Sequence, residues 1–400
     1  MQEVKKVYQY MEFKYQGDGK LAIKNKYDFL NLNNFGLYYK FIVNGKESAY
    51  KHLALPSCAS DQIVTVNVDV PSINAKEDVY MIVEARLNED CIWAKAGHVV
   101  ANEQFALNEA KLEWAAVQTS DELEGFAEEN RYVHIRNAKV EVVFDNKSGR
   151  MLAYRYNGMS LLQGQEGPAL NTYRSIDNDK REWYDTTMKL KGFNWKLAAD
   201  KHSATVTIKL DAVTPTCTIP HAITYVVYAN GTVDVDASFE TTKEFNLPRL
   251  ALQMGINGSF ENLQWYGRGP IENYQDRKNA AFVGLYNSTV KNMREHYVRS
   301  QSMGERTDTR WLTLTNGAGK GLKITAKGMF DFSALHYYDK EIWLAKYNHV
   351  LDEIEVPQVV LNLDCIQRGI GNGSCGPGPR PKYEIQKEHT YQYAFRMEPI

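Results

Sequence analysis

Apolar and polar residues alternate with a period of two in several short segments of this 400-residue chain. Residues 64–70, Val-Thr-Val-Asn-Val-Asp-Val, are one example, and residues 140–144 are rich in β-branched and aromatic side chains. Such alternation predicts half-buried antiparallel strands. The same pattern recurs at residues 204–210 and 232–238. Asn-Gly pairs, typical of tight turns, occur at residues 44–45, 157–158, 230–231 and 316–317. Short helices are an alternative only at residues 121–129 and 186–191.

The strand pattern predicts an all-β chain of two domains. Residues 1–116 hold about seven strand segments, the number and size of an immunoglobulin-like β-sandwich. Residues 117–130 are polar and acidic, which is typical of a linker. Residues 131–400 hold too many strands for one small sandwich, so we expect a large two-sheet sandwich there.

Composition excludes several classes of function. The net charge of −2 gives no basic excess for nucleic acid. No apolar run of about 18 residues exists, which argues against a membrane span, and residues 1–10 lack an apolar signal core. We therefore expect a soluble protein, and leave open whether its compartment is cytoplasmic or periplasmic. No zinc or calcium motif occurs, so neither a metal nor a cofactor is expected. Whether Cys365 and Cys375 form a disulfide stays open.

Four polar segments are candidates for chemistry. The first contains Arg174 and an Asx-rich turn of Asp177, Asn178 and Asp179, which either lines a polar ligand site, pairs internally with Arg174, or is a surface turn. A cation bound by this turn is neither indicated nor excluded by the sequence. The other three segments are residues 265–277, residues 306–311 with 330–336, and residues 364–375.

Charged and amide side chains are dense in the second of these segments. Four charged side chains there can pair with one another: Glu272, Asp276, Arg268 and Arg277. This cluster either hydrogen-bonds sugar hydroxyls or is a buried ion-pair network that holds a loop in shape. In the third segment, His336 is either a general base or a hydrogen-bonded structural residue.

Together the four segments resemble the β-galactosidases of glycoside hydrolase family 2. The last domain of that family carries, in order, Arg-Ala-Pro-x-Asp-Asn-Asp, Gly-x-Gly-Pro-x-Glu-Asn-Tyr-x-Asp-Arg, Arg-Thr-Asp-x-Arg-Trp followed by Phe-Ser-x-x-His-Tyr, and Asp-x-x-Gln-x-Gly-x-Gly. The corresponding residues here are 174–179, 267–277, 306–311 with 332–337, and 364–371. Residues 23–32, 97–98 and 104–105 resemble the sandwich domain that precedes the last domain in these enzymes, so the resemblance covers nearly the whole chain.

The resemblance implies a C-terminal portion of such an enzyme, with an immunoglobulin-like sandwich followed by a galactose-mutarotase-like supersandwich. In the family, both catalytic carboxylates lie on a (β/α)8 barrel, for which this chain has no pattern. The chain alone is therefore predicted to be inactive and carries no catalytic residue. It would instead shape the pocket for a β-galactoside beside the barrel, and it could contribute to a homo-oligomer. The residues expected near substrate are Arg174, Asp177, Asn178, Asp179, Glu272, Asn273, Arg277 and His336.

Two alternative functions remain. The aromatic content, 12% of residues, and the supersandwich resemblance also fit a free-standing carbohydrate-binding module. A mutarotase-like enzyme would need a Glu base and a His acid beside the sugar ring, for which Glu272 and His336 are the pair to test.

Overall fold

The structure is a computed structural model that describes residues 1–176, 179, 186–215, 217–243, 247–372 and 376–400. This part of the chain forms two compact units, a small one of Met1–Lys111 with Lys278–Leu285 and a large one of Leu112–Arg277 with Tyr286–Ile400. Strands dominate both units, and the two α-helices found in the described ranges, α1 (Gln2–Val7) and α2 (Asp339–Leu344), have six residues each. The prediction of an all-β chain is confirmed.

The small unit is a two-sheet sandwich. Its strands are β1 (Met11–Gly17), β2 (Lys20–Asn25), β3 (Phe35–Val43), β4 (Lys46–Glu47), β5 (Lys51–Ala54), β6 (Ile63–Asn67), β7 (Val79–Leu87) and β8 (Val99–Asn108). One sheet has the order β1-β2-β6 and the other the order β4-β3-β7-β8, with β5 beside β3. Leu21 and Ile23 of the first sheet share a core with Leu37 and Val83 of the second, as expected for facing sheets that each bury alternate residues.

The large unit contains the remaining strands. These are β9 (Glu124–Glu128), β10 (Tyr132–Arg136), β11 (Val140–Asp145), β12 (Arg150–Tyr156), β13 (Met159–Ser160), β14 (Ala169–Asn171), β15 (Thr187–Leu197), β16 (Ser203–Val213), β17 (Thr218–Tyr228), β18 (Val233–Glu240), β19 (Arg249–Ile256), β20 (Asn262–Gly269), β21 (Phe282–Thr289, which begins in the small unit), β22 (Arg306–Thr315), β23 (Gly321–Leu335), β24 (Val359–Gln367) and β25 (Thr390–Pro399).

Two sheets cover the core of the large unit. One has the order β13-β12-β11-β10-β9, and the main path of the other is β14-β19-β24-β23-β25-β18-β17-β16-β15. The side chains of Phe144 on β11 and Tyr225 on β17 meet between them, with ring centroids 5.2 Å apart. The described residues of this unit include 3-10 helices at Lys291–Met293, Asn348–Glu353 and Pro381–Tyr383.

Both helices that the sequence allowed as alternatives are wrong. Residues 121–129 contain β9, an edge strand in which four of the five residues are exposed. The linker expected at residues 117–130 stays a prediction. The alternative of a helix at residues 186–191 also fails, because β15 pairs with β16 along its length and alternates between half-buried and exposed positions. The domain limits of 1–116 and 131–400 stay a prediction.

Strand β23 positions much of the site described below. Its first half, Leu322 to Lys327, pairs with β25, and its second half, Asp331 to Leu335, pairs with β24. Gly328 lies between the two halves with φ +98°, a backbone conformation that favours glycine. The change of partner brings Asp331 opposite Asp364 on β24, so the third and fourth polar segments meet in the sheet.

Candidate functional site

Arg174 joins the first polar segment to the fourth. Its guanidinium is 1% exposed, and its Nε donates to Asp179 Oδ2 at 2.6 Å. Its terminal nitrogens donate to Gln367 Oε1 at 3.2 Å, to Gly369 O at 3.0 Å and to the carbonyl of Arg368. Because all its hydrogen-bonding capacity faces protein atoms, Arg174 fixes the two loops against each other rather than presenting a free cation.

The second and third segments are joined in the same way around Glu272 and Asn273. Glu272 accepts from Tyr297 Oη at 2.5 Å, from the Gly304 N–H at 3.0 Å and from the Arg277 guanidinium. Asn273 is fully buried, and its Oδ1 accepts from the N–H and the hydroxyl of Thr307 at 3.0 and 2.6 Å. Of the two interpretations offered by the sequence, the contacts correspond to a buried network that holds loop shape.

A cluster of buried charges lies beside this network. Arg249 is 2% exposed and contacts Asp364 at 2.6 Å, Asp339 at 3.1 Å and Glu305 at 3.6 Å. Three carboxyl groups thus surround one guanidinium. Burial, followed by the charge of Asp364, raises the pKa of Glu305 well above its usual range, and burial raises the pKa of Asp339. Glu305 Oε1 has no hydrogen-bond partner among the described residues.

The second, third and fourth segments line an open cavity of about 400 Å³, which we call the Asp331 cavity. Asp331 accepts from Gln275 Nε2 at 2.8 Å and from the Asp308 N–H at 3.0 Å. Burial, with the neighbouring Asp308 charge, raises the Asp331 pKa to about 7. The wall also includes Phe330, Cys365, Gln367, Lys382, Tyr383 and Glu384. The cavity therefore combines fixed polar groups with a carboxyl able to act as donor or acceptor near neutrality.

His336 lies apart from this cavity. Its Nε2 contacts Glu261 Oε2 at 2.9 Å and its Nδ1 contacts the Gln358 carbonyl at 3.0 Å. It lines a second cavity of about 480 Å³. Within the described residues, His336 and Glu272 share no hydrogen-bond partner, so the structure gives no support to a mutarotase-like pair.

Part of the predicted site lies outside the described residues. Asp177 and Asn178 are outside the described residues, as is Cys375, so whether Cys375 pairs with Cys365 stays open. Whether the Asx turn binds a cation therefore stays open. Across the described ranges, no group of three or more His, Cys, Asp or Glu residues is arranged to hold a metal ion, and no helix is long and apolar enough to cross a membrane.

Sequence reasoning missed Arg249, Glu305, Asp331 and Asp339. Asp331 stands between two phenylalanines in Phe330-Asp-Phe332, and a carboxyl inside an apolar strand is the signal that could have singled it out. Arg249 and Asp339 stand in ordinary sequence surroundings, so their meeting at 3.1 Å depends on tertiary structure alone.

Sequence comparison assigns the chain to a class, the glycoside hydrolases with β-galactosidase domains. Residues 136–397 match the family described as "Beta galactosidase small chain", and residues 21–108 match "Beta-galactosidase, domain 4". The first match covers more than half of the sequence, so the chain belongs to the β-galactosidase small-chain family. The family resemblance inferred from the four motifs is confirmed, and the chain corresponds to a C-terminal portion of these enzymes.

Three curated relatives illustrate the extent of similarity. The chain is 28% identical to a β-galactosidase of Priestia megaterium, covering 100% of this chain and 39% of that protein. It is 25% identical to the β-galactosidase of Streptococcus thermophilus and 25% identical to that of Kluyveromyces lactis, covering 95% and 99% of this chain. The chain spans only 37–39% of the length of these relatives. It is also similar to a galactose 1-epimerase structure from Lactobacillus acidophilus, with a TM-score of 0.36, 8% identity, and coverage of 70% of this chain and 99% of that one.

Proposed function

We propose that this chain is the non-catalytic C-terminal portion of a β-galactosidase that hydrolyses terminal β-galactosides. Its role is to shape the substrate pocket from outside the catalytic barrel, which is its principal partner. Membership of the small-chain family supports the enzyme class. The chain matches only 39% of the length of the Priestia megaterium relative, which supports a portion distinct from the catalytic domain. The proposed substrate is a β-galactoside, because the relatives are named β-galactosidases.

The Asp331 cavity is the observation that carries this proposal. Most of its lining comes from the second, third and fourth segments, and residues 382–384 complete it. Arg174 anchors the first segment to the fourth. Such fixed hydrogen-bond donors and acceptors orient a polar ligand at low entropic cost. Lys382 is exposed at the edge of this cavity, and its ammonium group can reach outward to a sugar hydroxyl.

The carboxyl groups of the site suit positioning better than hydrolysis. A retaining glycosidase needs two carboxyl groups roughly 5–5.5 Å apart with the sugar between them. Glu272 directs its oxygens to Arg277, Tyr297 and Gly304. Asp331 is 6% exposed and holds two internal hydrogen bonds. The oxygens of both carboxyl groups are therefore engaged by donors of the protein.

The first test compares hydrolysis of a chromogenic β-galactoside by this chain and by a form extended to include the catalytic barrel. We expect turnover only from the extended form. Turnover by the 400-residue chain well above background would overturn the proposal. In that case Asp331→Asn and Asp308→Asn would be the first variants to examine, since Asp308 donates its N–H to Asp331 and shares its cavity.

A second test addresses the pocket-shaping role in the extended enzyme. Lys382→Met removes a charge at the edge of the Asp331 cavity, and Lys387→Met is the matched control at an exposed position outside that lining. We expect Lys382→Met to raise KM several-fold with little change in kcat, as when a substrate contact shared by ground and transition states is lost. Equal kinetics for the two variants would contradict a substrate-facing role for this edge.

A further inference from the structure

The cavity beside His336 lies at the opposite end of the β23 segment that begins at Asp331. It has a volume of about 480 Å³. Leu335, His336 and Tyr337 form one wall, and the 3-10 turns Lys291–Met293 and Asn348–Glu353 contribute residues to the others. It has no lining residue in common with the Asp331 cavity.

Hydrogen bonds hold the walls of the His336 cavity in place. Glu261 uses one carboxylate oxygen for His336 and the other for the Lys291 N–H, at 2.9 and 2.8 Å. The Arg294 guanidinium donates to Asn348 O at 2.7 Å and to Asn348 Oδ1 at 2.6 Å, as well as to Asp352. A cavity braced in this way is largely formed before any ligand arrives.

Two polar groups on the rim of the cavity remain without protein partners. On the rim, the side chains of Lys291 and Glu355 are exposed and form no hydrogen bond or ion pair within the described ranges.

The charges of the cavity select the class of ligand. Arg294 is neutralised by Asp352, and Lys291 and Glu355 carry opposite charges, so these four groups sum to zero. An anion would face two carboxylates, and a cation would face Arg294 and Lys291. A neutral molecule with many hydroxyl groups can donate to Glu355 and accept from Lys291 at the same time.

We propose that the His336 cavity is a binding site for a neutral mono- or disaccharide, separate from the Asp331 cavity. Its volume falls within the range of about 300–1,000 Å³ that is usual for small-molecule sites. This site would bind sugar without catalysing a reaction. Glu261, Arg294 and Asp352 are engaged in hydrogen bonds within the wall, and the rim side chains that remain can only form hydrogen bonds to a ligand. This inference does not depend on the proposed function.

The test is titration of the complete 400-residue chain with galactose, and separately with lactose, followed by ligand-observed NMR. Lys291→Met and Glu355→Gln each remove one rim group, and the matched controls are Lys320→Met and Glu353→Gln at exposed positions outside the cavity lining. We expect saturable binding that each rim variant weakens about tenfold, the effect of losing one hydrogen bond, while both controls bind like the parent chain. All four positions are exposed, so folding should be unaffected.

Three results would overturn the inference. The first is no saturable binding of either sugar, which would mean that the exposed Lys291 and Glu355 side chains are only solvated. The second is tighter binding of galacturonate than of galactose, which would identify an anion site. The third is binding that survives both rim variants but is lost in Lys382→Met, which would locate the sugar in the Asp331 cavity and support the proposed function instead.

Discussion

At the scale of single residues, burial decides what an arginine–carboxylate contact contributes to stability. Arg174 and Asp179 are each 1% exposed at the side chain and lie 2.6 Å apart, whereas Arg155 and Glu141 lie 2.5 Å apart with side chains 51% and 27% exposed. Removing one partner of a buried pair leaves an uncompensated charge, but an exposed pair is solvated and screened.

We therefore expect Arg174→Met to lower the free energy of unfolding by about 3–5 kcal/mol. The matched variant Arg155→Met should change it by less than about 1 kcal/mol. Denaturant unfolding of both variants and the parent chain measures the difference. Similar losses for the two variants would mean that Arg174 is not the buried anchor of the 174–179 and 367–369 segments.

The limits of prediction from sequence are also clearest at single residues. The sequence offered an internal pair between Arg174 and the Asx turn, and an ion-pair network at Glu272 and Arg277, because those groups are close in the chain. It could not indicate that Arg249 meets Asp339 and Glu305, since these residues lie 90 and 56 positions from Arg249 and meet it only in the tertiary structure. Proximity in sequence is local information, whereas burial of a charge depends on the whole sheet.

At the scale of elements, strict alternation identified strands well. The patterns at residues 204–210 and 232–238 lie in β16 and β18, which alternate between buried and partly exposed positions. Prediction failed where strands are exposed or irregular. Strand β9 has a polar composition, and a register shift between Leu190 and Gly192 interrupts β15. Where packing does not impose a period of two, composition alone does not distinguish a strand from a linker or a short helix.

Strand β23 provides a prediction about backbone conformation. Gly328 lies where the strand changes partner, with φ +98°, and a Cβ added there would meet no atom within 4 Å. Any cost of Gly328→Ala therefore comes from the backbone, at about 1–2 kcal/mol. Gly317→Ala is the matched control, because it has equal space and no positive φ, and we expect it to be neutral or slightly stabilising.

Thermal unfolding of the two glycine variants tests this expectation. Gly328→Ala should unfold at a lower temperature than the parent chain, and Gly317→Ala should not. If Gly328→Ala were as stable as Gly317→Ala, the left-handed conformation would not be needed for β23 to pair with both β24 and β25.

At the scale of the whole molecule, the large unit carries an excess of buried carboxyl groups. Glu305, Asp339 and Asp364 share Arg249, and Asp331 lies opposite Asp364 in the sheet. Such an arrangement is stable only if some of these carboxyl groups keep their protons on folding. The same burial that shapes the candidate site therefore makes the stability of the chain depend on pH.

The direction of this dependence follows from Asp331. Its pKa rises from 3.8 to about 7 on folding, so the folded chain retains a proton that the unfolded chain releases. The stabilisation is complete below about pH 4 and is lost progressively as the pH rises to about 7, by up to ~4 kcal/mol. Asp145 acts in the opposite sense, because Arg131 lowers its pKa to about 2, and its contribution is lost only as the pH falls below about 4.

Asp331→Asn separates this contribution from the rest of the molecule. Asparagine cannot ionise, and rotation of the Gln275 amide allows the hydrogen bond between the two side chains to persist. We expect urea unfolding of the parent chain to show stability falling between about pH 5 and pH 7, and a clearly shallower fall in the variant. Asp61→Asn, at an exposed carboxyl, should leave the slope unchanged. Equal slopes for the parent chain and Asp331→Asn would mean that Asp331 is ionised in the folded state, and that its cavity presents a fixed negative charge to any ligand.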